Sequence, residues 1–89
     1  MEKKVTINGR EFTAREPAGY EVDRFIVEFL DDNMQPIREK IPEANVALIK
    51  MVFGLSEEEI KQLPNSVYRK LTEEAGNFIV GMNEDEQKK

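Results

Sequence analysis

The chain has 89 residues, 39% of them hydrophobic and 35% charged, which suits one folded domain with a core of its own rather than a disordered chain. Thirteen basic against eighteen acidic residues leave a net charge of −5 and a pI near 4.8. That balance gives no electrostatic footing for nonspecific nucleic-acid binding or for an anionic membrane surface. With no cysteine and no histidine, the chain lacks disulfides, thiol nucleophiles, thiolate zinc sites and histidine acid–base chemistry.

The opening VTINGREFTAREP reads as two alternating runs folded about Asn8-Gly9, a pair suited to a type I′ turn with positive φ at both central residues. A two-residue loop sets Ile7 opposite Arg10 and Val5 opposite Phe12. Val5, Ile7, Phe12 and Ala14 then share an apolar face, and Lys4, Thr6, Glu11 and Thr13 a polar one. Two strands alone are marginally stable, so this hairpin over 4–15 requires a helical partner.

Pro17 ends the strand, and from about Gly19 the period turns helical. Val22, Phe25, Ile26, Phe29 and Leu30 form one stripe, which predicts a helix over about 19–32. The segment MQPIREKIPEAN, containing Pro36 and Pro42, reads as a turn or short helix. A second helix is predicted over 42–53, with Leu48, Ile49, Val52 and Phe53 as core and Gly54 as its left-handed cap. Ser56 with Glu59 forms a capping box for a short helix over 57–63, stopped by Pro64. Asn65 or Ser66 then caps a last helix over 66–82, whose inner face carries Val67, Leu71, Ala75, Phe78 and Met82. Residues 84–89 read as a charged flexible tail. The expected architecture is α+β and mostly helical, one domain over 1–83 with the hairpin packed on a small bundle of three to four helices.

Chemistry is hard to find in this pattern. Asp31-Asp32 and Glu57-Glu58-Glu59 fall where helix ends place solvated acids. A calcium loop starting at Asp31 needs glycine where Pro36 stands and glutamate where Pro42 stands. The glycines never gather into a phosphate-cradling loop. No enzyme, cofactor or metal is expected. No stretch is apolar enough to span a bilayer, and the N-terminus lacks a signal-peptide run, so the expectation is a soluble cytoplasmic protein.

Binding remains. Val27, Met51 and Val80 each fall more than a quarter-turn off the centre of their helix's apolar stripe. Either the bundle buries its helices on more than one side, or some of these residues form an exposed patch for a protein partner or for self-association. Met51 is the leading candidate because a flexible thioether suits adaptable surfaces, with Tyr20, Tyr68, Met34 and Ile37 next.

The order VTINGREFTAREP, then a helix beginning YEVDRFIVEFL, then MVFGLSEEEIKQLPNSVYRKLTEEAGNFI, resembles the tail assembly chaperones of long-tailed bacteriophages and prophages. Members often carry a small hairpin ending in Arg-x-Pro, matched by Arg15-Glu16-Pro17, then a helix, then a Gly-Leu-Ser and Leu-Pro segment, matched by Gly54-Leu55-Ser56 and Leu63-Pro64. The resemblance covers most of the chain through short, degenerate motifs. It implies a non-catalytic helper that binds the tape measure protein, keeps it soluble and recruits tail tube subunits, with no catalytic residues to assign. It further implies, for some members, a longer product of ribosomal slippage, for which Lys88-Lys89 is the place to look. Competing expectations are a small acidic regulatory or adaptor protein with one protein partner, and a structural tail or connector component.

Overall fold

Asn8 and Gly9 take φ values of 53° and 82°, the left-handed pair that a type I′ turn requires. The computed structural model describes residues 2–87, with side chains described up to residue 79. The turn joins β1 (Glu2–Ile7) to β2 (Arg10–Arg15) in an antiparallel pair, with Val5 opposite Phe12 and Ile7 opposite Arg10. Val5, Ile7, Phe12 and Ala14 are buried, while Lys4, Thr6 and Glu11 face solvent and Thr13 is partly covered. The hairpin starts two residues earlier than its alternation indicates, and Arg15 Nε pairs with Glu2 Oε2 at 3.3 Å across the added rung.

Helix α1 (Gly19–Phe29) begins after Pro17 without a side-chain cap. It stops three residues short of the predicted end at 32, because the chain there finds better partners than another helical turn. Leu30 turns extended and bridges Pro36. The Asp31 carboxylate accepts the backbone N–H groups of Asn33 at 2.9 Å and Gln35 at 3.0 Å. A short acidic side chain that satisfies local amides in this way competes directly with helix. Met34 sits at φ 62° within the turn, and the Ile37 N–H donates to the Phe29 carbonyl at 2.9 Å, folding the loop back on α1.

A 3₁₀ turn over Arg38–Lys40 leads into α2 (Ile41–Phe53), with Pro42 in the first turn, where no amide hydrogen is needed. Gly54 ends α2 at φ 70°, its N–H donating to the Lys50 carbonyl at 3.0 Å. Of the expected core residues Ile49, Val52 and Phe53 are buried, Leu48 is half-buried, and Ala44 joins them.

Helix α3 (Glu57–Lys61) is shorter than predicted, because Gln62 and Leu63 close with tighter i→i+3 bonds before Pro64. Ser56 Oγ accepts the Glu59 N–H at 3.2 Å and donates to Glu59 Oε1 at 3.3 Å. The glutamate of this capping box thus reaches the hydroxyl rather than the Ser56 amide. Helix α4 (Asn65–Gln87) starts at Asn65, whose side chain takes Arg69 Nε at 3.2 Å instead of capping. It buries Val67, Leu71, Ala75 and Phe78; the side chain of Met82 lies outside the described residues. The helix runs on past its predicted end at 82 to Gln87, into the stretch that composition alone reads as tail, where no proline intervenes. Lys88 and Lys89 lie outside the described residues.

The architecture is α+β and mostly helical. Its centre is α2, which packs against α1, α3, α4 and β2, while β1 reaches α4. The hairpin therefore covers the second and last helices. Ile49, Ile60, Leu71 and Val52 are the largest fully buried side chains, and no buried residue among those described is polar or charged. Extents of 35 × 33 × 18 Å make the molecule a slab about two packed layers thick.

Candidate docking clefts

In a slab so thin, surface relief forms where helices meet at α2. One trough, about 660 Å³, runs between α1 and the C-terminal half of α2. Its apolar lining comes from Tyr20, Phe25 and Phe29 on α1, Met51 on α2, and Leu55 beyond Gly54. The rings of Phe25 and Phe29 lie one helical turn apart on α1, with centroids 5.3 Å apart. Charge sits at the margins: Glu21, Glu28 and Glu59 against Arg24 and Lys50. Glu59 is also held by Arg10 of the hairpin at 3.7 Å, and Arg10 lies over the Phe12 ring at 4.8 Å.

A second trough, about 580 Å³, opens on the neighbouring flank of α2, between it, α3 and the start of α4. Val46, Ala47, Leu63 and Tyr68 line it, the fully buried Ile60 lies at its base, and Glu57 and Lys61 border it. Lys61 Nζ lies 3.0 Å from Glu57 Oε1. That hydrogen bond, with the Lys61 charge, holds the Glu57 carboxyl below its usual range, and Lys50 adds a smaller pull in the same direction. Ala47 and Lys50 border both troughs.

The residues singled out from the sequence are dispersed by the fold. Tyr20 and Met51 meet in the first trough, although Met51 is half-buried there rather than openly exposed. Tyr68 lines the second. Val27 and Met34 are exposed and Ile37 half-buried, all three outside both troughs. The side chain of Val80 lies outside the described residues. Phe25 and Phe29 were not anticipated at a surface site, since their spacing is that of ordinary core residues. No local signal marks a stripe that its own fold only half covers.

Neither trough gathers obvious reaction chemistry. Among the described residues no cluster of three aspartate, glutamate, histidine or cysteine side chains could hold a metal ion. No described helix is long and apolar enough to cross a membrane. Both troughs combine an apolar lining with charged residues of both signs. No protein-family model, no curated protein and no solved structure matches the chain.

Proposed function

We propose that this chain is a non-catalytic tail assembly chaperone of a long-tailed phage or prophage, acting in the host cytoplasm. It binds the tape measure protein, keeps it dispersed, and helps bring tail tube subunits to it. The observation that carries this reading is the trough between α1 and α2, where Tyr20, Phe25, Phe29 and Met51 leave an apolar strip open beside charged margins. The element order and short motifs, which resemble those of tail assembly chaperones, support the tape measure protein as the partner.

A long amphipathic helical chain exposes apolar stripes until a tube closes around it, and such stripes associate with one another unless covered. A thin domain with an apolar trough covers a stripe, while a net charge of −5 keeps the resulting complexes apart. Individually weak sites suffice when many copies line one chain, because the partner holds them at high local concentration. Co-expression with the tape measure protein encoded nearby is the test. Soluble co-purification is the expected result. A tape measure protein that precipitates equally with and without this chain refutes the reading.

A further inference from the structure

Helix α1 differs from the two strands and the other α-helices in how it is held. Its stripe residues Val22, Phe25, Ile26, Phe29 and Leu30 are all half-buried, and α1 contains no fully buried residue. The buried core draws on the hairpin, α2, α3 and α4, and the half-buried side chains packed against it come from α2, α4 and the connectors flanking α3; α1 contributes to neither set. Eleven residues with no side-chain N-cap and no basic residue in the last turn are short of what sustains a helix by itself. The helix also carries its following loop with it. The Leu30–Pro36 bridge, the Ile37-to-Phe29 hydrogen bond and the two Asp31 side-chain bonds tie 29–37 into one piece. At the far hinge Lys40 is tied back twice, its backbone N–H donating to the Ile37 carbonyl at 2.9 Å and its Nζ to the Glu28 carbonyl at 3.3 Å.

We infer that α1 and the loop to Ile37 form a cover that opens as a unit, hinged at 16–18 and at Arg38–Lys40, while the hairpin and α2–α4 stay folded. The physical basis is unequal stability within one chain: elements with few buried apolar contacts open at lower free energy than the core they rest on. Opening bares Met51 and the adjoining α2 surface together with the α1 stripe, two apolar faces that close on each other when nothing else is bound. In the free protein α1 then holds the place of an incoming amphipathic helix. This use of the opening rests on the proposed function; the opening itself belongs to the isolated chain.

Native-state hydrogen exchange on the full-length protein alone, across a urea series, tests it. The amides of Phe25 to Phe29 are expected to exchange at least about tenfold faster than those of Ile49 and Leu71, through one shared opening with a small urea dependence. Val67→Ala, a cavity in the part that stays folded, should speed the amides of Ile49 and Leu71 about tenfold or more and leave the α1 amides unchanged. Three results overturn the inference. The α1 amides could exchange with the rate and urea slope of the core, or grade smoothly inward from the helix ends as fraying does. Alternatively, Val67→Ala could accelerate core and α1 alike. Because no partner is present, these outcomes are independent of whether the tape measure protein is bound.

Discussion

The ring of Phe12 meets the ring of Phe53 edge to face, with centroids 6.2 Å apart and planes inclined at 77°. This contact fastens the hairpin to the last turn of α2, just before Gly54 ends the helix. Phe12→Ala is expected to destabilise by about 3–5 kcal/mol, the range for emptying a buried phenylalanine site. A double-mutant cycle with Phe53→Ala should show a coupling of about 0.5–1.5 kcal/mol beyond the lost burial. Urea melts of the four proteins measure it, and additive losses would show that the edge contact contributes nothing of its own.

Gly9 isolates the cost of backbone conformation from that of packing. A Cβ built there meets nothing within 4 Å, yet φ is +82°. Gly9→Val should therefore destabilise by about 1–3 kcal/mol through strain alone, and Gly9→Asn by much less, since asparagine tolerates the left-handed region. Thermal melts that coincide for wild type and Gly9→Val would refute the type I′ geometry.

Glu57 gives stability a pH dependence with a defined sign. Its folded carboxyl lies below the ordinary range, chiefly through the hydrogen bond to Lys61, so the charged form is favoured by folding. The contribution is present at neutral pH and disappears as pH falls through the lowered value. Glu57→Gln should accordingly have a lower Tm than wild type at pH 7, with the gap closing in acid and shrinking in high salt. A gap that widens on acidification would reverse the assignment.

Tyr20 and Val27 form a controlled pair for the docking reading. Both lie on α1 and both are 75% exposed, but only Tyr20 lines the trough. Tyr20→Ser should weaken tape measure co-purification by about tenfold or more, as loss of an aromatic anchor does. Val27→Ser should leave it unchanged, and both variants should melt within about 0.5 kcal/mol of wild type, as surface substitutions usually do. Equal retention by the two variants would move the docking site away from this trough.

The turn, register and inward face of the hairpin were legible in the sequence, though not its first rungs at Glu2 and Lys3, because what sets them is local: an Asn-Gly turn and a two-residue alternation that assigns Val5 and Phe12 to one face. The left-handed cap at Gly54 was legible for the same reason. Periodicity also identified the inward face of α1, but not how deeply it would be covered, which depends on how far α2 lies from it. That gap explains Met51. Its angle off the α2 stripe is real, yet α1 happens to lie beside it, so an expected exposed residue became the half-buried wall of a trough. The early end of α1 turned on Asp31, whose choice between helix and turn is settled by amides at Asn33 and Gln35 rather than by any apolar pattern.

Lys50 borders both troughs, and its charge reaches Glu57 across the second. Ala47 borders both as well, so the two flanks of α2 share part of one wall, and a substitution at either position reshapes both troughs at once.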